Sequence, residues 1–193
     1  MLIQFKEQQI GNFIVPSFTL SEGELVVIKL PEGQDLFDMT RELNSILTNI
    51  GNTEVAVVDI PLKYAGHFLK LHSFLETLFP TTVGKWFRKN ANQKNSVFNK
   101  VYNDFDWLTP KTKLIKIPRT PLRMISIYST LSWTTNIVFD LVGVDPAGGQ
   151  KIYAMVKEVV KNGGAAILYD RCYEFKNDCT LFIEAQPIAS NQI

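Results

Sequence analysis

The stretch from Asn136 to Pro146, N-I-V-F-D-L-V-G-V-D-P, constrains the fold of this chain more than any other. Ile137, Val138 and Phe139 run without interruption into Asp140. A continuous apolar run of this kind is a strand buried on both faces, as in a parallel sheet. It ends in a carboxylate, at the edge where open α/β sheets place their ligand sites. A turn containing Gly143 leads to Asp145 and Pro146, which suit a helix N-cap and the first helical position. Ile152, Val156, Val159 and Val160 then give a helix one apolar face. Asn162-Gly163-Gly164 stops it, and Ala165 to Tyr169 follows as a second buried strand. Strands alternating with helices predict an α/β domain with a parallel sheet.

A length of 193 residues fits one domain with one large core. No apolar run approaches the roughly 20 residues needed to span a bilayer. The opening M-L-I-Q-F-K-E lacks the basic-then-apolar pattern of a signal peptide. A cytoplasmic chain that does not span the membrane is expected. Cys172 and Cys179 are too few for a disulfide framework or, alone, a zinc site, and are expected to be reduced. The net charge of +1 hides an asymmetry. Between Thr81 and Arg119, nine Lys or Arg face only Asp104 and Asp106, a net +7, leaving −6 for the rest. A positive segment on an acidic frame suits an acidic partner.

Along the chain, Leu2–Ile10 and Asn12–Leu20 predict two strands around Gly11-Asn12, with Pro16 marking the second as an edge or bulged strand. Glu24–Leu30 is a strong apolar strand. Leu36, Met39, Leu43, Ile46, Leu47 and Ile50 recur at helical spacing, and Glu54–Ile60 is another buried strand. Tyr64, Phe68, Leu71, Leu75, Leu78 and Phe79 predict a helix stopped by Pro80. His67 and His72 fall about 140° apart on it, so they do not face one metal; they read as independent surface or packing residues. Helices are predicted around Val83–Lys89 and around Val97, Val101, Tyr102 and Phe105. Lys113–Ile117 predicts a short strand. Thr120 and Pro121 suit an N-cap and first helical residue. Thr180–Ala185 is the last strand, before a loose tail, A-S-N-Q-I. The strands at Glu24–Leu30, Glu54–Ile60, Asn136–Asp140 and Ala165–Tyr169 are expected to share one sheet.

Two segments carry a family resemblance: S-F-T-L-S-E-G-E-L-V-V-I (Ser17 to Ile28) and V-F-D…V-D-P (Val138 to Pro146). Together they resemble the opening and the Walker B and D-loop region of an ABC-type ATPase, the nucleotide-binding domain of ABC transporters. The resemblance implies a P-loop-NTPase-like α/β fold over residues 1–193. It would have a mainly parallel sheet, an N-terminal antiparallel strand group and a helical insertion near 61–112.

The chemistry of that family is not matched. A phosphate-binding loop, G-x-x-x-x-G-K-[ST], needs glycines so that backbone N–H groups can wrap phosphate, Lys for charge and Ser or Thr for magnesium. Here Leu30 and Asp35 stand where the glycines belong, with Leu36 for Lys and Phe37 for the hydroxyl residue. Only Pro31 and Gly33 fit, and Glu32 and Asp35 repel phosphate. The family's general base follows the Walker B carboxylate, where this chain has Leu141. Ile117–Pro121 occupies the place of the signature sequence without its glycines or serine. Asp170 or Arg171 stands in place of the switch histidine, and no Gln between Gly51 and Asn92 can serve as the Q-loop residue. Asp140 and Asp145 remain as vestigial Walker B and D-loop positions, better explained as a strand-end cap and a helix N-cap. G-x-S-x-G and G-x-G-x-x-G do not occur.

The resemblance thus implies a non-hydrolysing ABC ATPase-like subunit with a structural or regulatory pairing role, associated with a transport complex. No catalytic residue, metal or cofactor is expected, ATP and magnesium included. The partner would be a second copy or an ABC-type subunit. It would meet the loops at Leu30–Asp35, Leu141–Asp145 and after Tyr169, with Val142 and Val144 as apolar contacts. One alternative is a module for nucleic acid or an acidic partner on segment 81–119. There Lys85, Arg88, Lys89, Lys94 and Lys100 are interleaved with Trp86, Phe87, Tyr102, Phe105 and Trp107. The bland reading of that segment puts the aromatics in the core and the lysines in water. A second alternative is a divergent ATP-binding ABC protein.

Overall fold

The computed structural model describes residues 1–49, 51–52, 54–68 and 79–188. The N-terminal part forms short strands: β1 Ile3–Phe5, β2 Gln8–Ile10, β3 Phe13–Val15 and β4 Phe18–Leu20. The turn at Gly11-Asn12 joins β2 and β3 as a hairpin, with Ile10 opposite Phe13. Each predicted long strand is therefore two short ones, and Pro16, which offers no N–H to a ladder, separates β3 from β4.

Next come β5 Leu25–Lys29, α1 Gln34–Leu47, β6 Gly51–Asn52, β7 Ala56–Val58 and β8 Lys63–Tyr64. Helices α2 Val83–Asn90 and α3 Lys100–Asp104 follow, the latter after a 3-10 turn at Ser96–Asn99. Then come α4 Arg119–Leu131, β9 Asn136–Asp140, α5 Pro146–Lys161, β10 Ala165–Asp170, β11 Leu181–Glu184 and β12 Gln186–Pro187.

The central sheet has the order β11-β5-β10-β9-β8, and every neighbouring pair in it is parallel. Its strands β5, β9 and β10 are the apolar runs of the sequence, and Val138 and Ile167 are fully buried. Alternation along the strands divides the core in two. Leu25, Val27, Ile137, Phe139, Ala166 and Leu168 face α4, α5 and the middle helices. Val26, Ile28, Val138 and Ile167 face α1 and the N-terminal strands. On that second face lies an antiparallel sheet of order β4-β1-β7-β6, and a three-stranded sheet β12-β3-β2 adjoins it.

Four expectations are corrected. The strand inside Glu54–Ile60 is not in the central sheet; β7 pairs antiparallel with β1. A buried apolar run suits any covered sheet, so its composition could not tell the two apart. Tyr64 does not begin a helix. It sits in the edge strand β8, opposite Val138, while residues 69–78 of the predicted helix, including His72, lie outside the described residues. Lys113–Ile117 forms a 3-10 turn at Leu114–Lys116, tied to the rest by a single bridge between Thr82 and Lys113. Finally, α4 begins at Arg119 with Pro118 as its cap, two positions earlier than Thr120-Pro121 predicts.

The predicted helices near Val83–Lys89, at Leu36–Leu47 and after Pro146 are present. Ile50 and the tail from Ala189 lie outside the described residues.

Candidate functional site

Parallel pairing aligns the carboxyl ends of the central strands. Tyr169 stands opposite Asp140 and Asp170 opposite Lys29. The loop leaving β5 is fastened here, since Leu30 N–H donates to the Asp170 carbonyl at 2.8 Å. Beside β9, the Ala65 N–H donates to the Val138 carbonyl at 2.8 Å and carries the chain on to His67.

Asp140, at the end of β9, is 5% exposed. One carboxylate oxygen takes His67 Nε2 at 2.7 Å and the Val142 N–H at 3.0 Å. The other takes the Tyr64 hydroxyl at 2.7 Å and has Arg123 Nη2 at 3.4 Å. An ionised carboxylate only accepts, so His67 must carry its proton on Nε2 in this contact. Arg123, 3% exposed, is inserted from α4. Its Nε donates to the Asp140 carbonyl at 3.0 Å, and its Nη1 donates to the Ala65 and Gly66 carbonyls at 2.5 and 3.1 Å. Ser126, one turn later, donates to Gly66 as well. Arg123 Nη2 makes no hydrogen bond of its own; its approach to Asp140 is a charge contact.

The electrostatics follow from this packing. Burial pushes the Asp140 carboxyl upward, but the His67 hydrogen bond, the Arg123 and His67 charges and the Tyr64 hydroxyl outweigh it and hold the group at about 2. Burial, with the Asp140 charge, pushes the Tyr64 phenol well above its usual range. The same burial pulls the Arg123 guanidinium down, and Asp140 and Tyr64 push it back up.

The cluster forms the floor of a cleft of about 730 Å³. Helix α1 supplies Leu36, Phe37, Thr40, Arg41 and Asn44 to one wall. Leu141 and Val142 line the other, with Tyr169, Asp170 and Arg171 at the end of β10. Phe37 is 71% and Val142 39% exposed at the rim.

The residues singled out in the sequence are distributed unevenly. Asp140 and Val142 meet in the cleft; Pro31, Gly33, Val144 and Asp145 do not line it. Gly33 is the residue before α1 and has a φ of 83°, a left-handed conformation that favours glycine. Asp145 caps α5, accepting from the Gly148 N–H at 2.9 Å, and also accepts from the Thr120 hydroxyl at 2.6 Å. Val144 packs half-buried against this chain's own core.

Tyr64, His67 and Arg123 were missed as site residues. One signal was available for Arg123: it is a cation inside a helix otherwise suited to burial from Pro121 to Leu131, beside a strand that ends in a carboxylate. Among the described residues, no three His, Cys, Asp or Glu side chains converge as metal ligands would.

On the basic segment, Lys85, Arg88, Lys89, Lys94 and Lys100 are all exposed. Phe87 is buried, and Trp86, Tyr102 and Phe105 pack against the core, leaving Trp107 exposed. Among the described residues no helix is long and apolar enough to cross a membrane.

Solved structures share this fold. An ABC transporter ATP-binding protein from Pyrococcus furiosus superposes with a TM-score of 0.69 at 14% identity, covering 95% of this chain and 97% of its own. The ATP-binding subunit of an ABC transporter gives 0.67 at 14% identity, covering 96% and 86%. A nucleotide-free ATP-binding cassette gives 0.63 at 14% identity, covering 95% and 89%.

The fold is that of an ABC-type ATPase domain.

No protein-family profile matches the sequence. No curated protein matches it either. In this ABC ATPase-like domain the fold thus carries further than the sequence. The parallel sheet, the N-terminal antiparallel group and the strand-end carboxylate are those the opening and Walker B-like segments predict.

Proposed function

We propose that this chain is a non-hydrolysing ABC ATPase-like subunit whose role is to pair with a second copy or another ABC-type subunit, in a structural or regulatory capacity. The observation that carries the proposal is the neutralisation of Asp140 by Arg123. A carboxylate that is to hold a divalent cation needs free oxygen lone pairs facing an open position. Here both oxygens are occupied by Tyr64, His67, Val142 and Arg123, and a guanidinium already supplies the compensating charge.

The loop after β5 fits nucleotide no better. It carries Glu32 and Asp35, both exposed, and no Lys or Arg. Leu36 is buried in the core and Phe37 projects into solvent, so neither position can be adapted to phosphate by a change of rotamer. Magnesium–ATP therefore does not suit these residues.

The same edge offers a contact surface. Phe37 and Val142 are exposed apolar residues on the two lips of the cleft, of the kind that a partner covers. Of the two valines in this turn Val142 is the better contact, because Val144 is engaged by its own core. The experiment is sedimentation velocity of the purified chain, alone and with its native lysate partner recovered by affinity. A dimer or heterodimer is expected, and Val142→Asp should weaken it at least about tenfold, since a charge is then desolvated in an apolar contact. A strictly monomeric chain that recovers no ABC-type subunit contradicts the proposal.

A further inference from the structure

The polar atoms of the cleft fall into two groups. Those of the floor are spent. Asp140, Tyr64 and His67 Nε2 satisfy one another, and Tyr169 donates its hydroxyl to Asn44 Oδ1 at 3.2 Å. Asp170, the other carboxylate on the wall, accepts from the Arg171 N–H at 2.7 Å and from the Cys172 thiol at 3.4 Å. Among the described residues, the donors left without a partner are the Arg171 guanidinium, Asn44 Nδ2 and the Thr40 hydroxyl, while His67 Nδ1 is a further ring nitrogen with no hydrogen bond. Arg41 adds a second cation at the mouth, shared with Asp38 at 2.9 Å.

The rest of the lining is hydrocarbon: Leu36, Phe37, Leu141, Val142 and the rings of Tyr64 and Tyr169. A volume of 730 Å³ lies within the ordinary range of small-molecule sites. Apolar walls with a few free donors, one of them an unpaired guanidinium, select an apolar body bearing one anionic acceptor. A polyphosphate would need more donors than these.

We infer that this cleft binds an amphipathic organic acid, with its hydrocarbon against Phe37, Leu141 and Val142 and its carboxylate on Arg171 and Asn44 Nδ2. A single carboxylate matches the planar fork of Arg171, and Asn44 is oriented for it by Tyr169. Phe37, 71% exposed without a ligand, is covered by the bound hydrocarbon. The inference goes beyond the pairing role and does not depend on it, since every group named belongs to one chain.

The test is isothermal titration calorimetry with decanoate, decan-1-ol and decylamine, each below its aggregation concentration. Decanoate is expected to bind about tenfold more tightly than decan-1-ol, the usual worth of a charge-assisted hydrogen bond, and decylamine not at all. Arg171→Gln should remove the preference for decanoate over decan-1-ol. Thr40→Trp, which fills the cleft, should abolish both. Arg171 is exposed, so Arg171→Gln decides the matter even where Thr40→Trp fails to fold. Equal binding of all three probes, no binding at millimolar concentration, or an undiminished preference in Arg171→Gln overturns the inference. Sedimentation of the same samples separates it from the pairing role: a monomer that binds decanoate through Arg171 supports this inference and contradicts only the other.

Discussion

Arg123 donates its Nε to the backbone carbonyl of Asp140 at 3.0 Å while its Nη2 stands 3.4 Å from the same residue's carboxylate. One buried side chain thus fixes both the backbone and the charge at the end of β9. Removing it leaves a buried carboxylate with only neutral donors and His67 around it. Arg123→Ala is expected to destabilise the chain by about 3–5 kcal/mol, the usual cost of breaking a buried ion pair from one side. Urea denaturation checks this; a loss below about 1 kcal/mol would show that the pair is not structural. The double variant Arg123→Met/Asp140→Leu should recover much of the loss.

Much of the fold was legible in the sequence because its strands are unusually pure. L-V-V-I, I-V-F and A-I-L have no amphipathic alternation, which confines them to a sheet covered on both faces. Asp145, Pro146 and Asn162-Gly163-Gly164 bounded α5 by cap chemistry alone. The assignment of Ala56–Val58 to the wrong sheet marks the limit, since the partner of a strand is a long-range fact. The site was less legible. Asp140 stood out, yet its partners lie 76, 73 and 17 residues away in sequence. Tyr64 fitted a helical period by coincidence, because a two-residue edge strand has no period of its own.

Asp140 also predicts a pH dependence. Its folded value of about 2 lies below the ordinary 3.8. A depressed carboxylate contributes stability that is present above the unfolded value and lost as pH falls through the folded one. Between pH 4 and pH 2 this group alone should withdraw on the order of 2 kcal/mol. Denaturation midpoints across that window should fall more steeply for the native chain than for Asp140→Asn. Parallel curves would show that Asp140 does not titrate as the geometry requires.

Two adjacent glycines in α5 should respond oppositely to alanine. A Cβ on Gly148 would come within 2.3 Å of Thr120 Oγ1 and 2.9 Å of Val144 Cγ1, whereas one on Gly149 meets nothing nearer than Leu141 Cδ1 at 3.6 Å. Helix propensity alone favours alanine at both by about 1 kcal/mol. Overpacking reverses this at Gly148, so Gly148→Ala should destabilise by about 1–3 kcal/mol while Gly149→Ala is neutral or stabilising. Thermal midpoints of the two variants check it; a stabilising Gly148→Ala would mean that the α4–α5 contact is looser than described.

The exposed cations of the middle segment separate the pairing role from a nucleic-acid role. Replacing Lys85, Arg88, Lys89, Lys94 and Lys100 by Ser should leave association unchanged, because they lie away from the cleft lips. With most nearby aromatics packed into the core, single-stranded DNA and RNA should bind weakly at 50 mM salt and not measurably at 200 mM. Tight, salt-sensitive binding that the serine variant abolishes would favour nucleic acid as the partner.

If the chain is a non-hydrolysing pairing subunit, its edge is closed to nucleotide, with Arg123 supplying the positive charge at Asp140. Calorimetric titration with ATP and magnesium at millimolar concentration tests this. No binding heat is predicted for the native chain, and none for Leu36→Lys, since Leu30 and Asp35 still replace the loop glycines. Micromolar, magnesium-dependent ATP binding by the native chain would show that the edge still holds nucleotide.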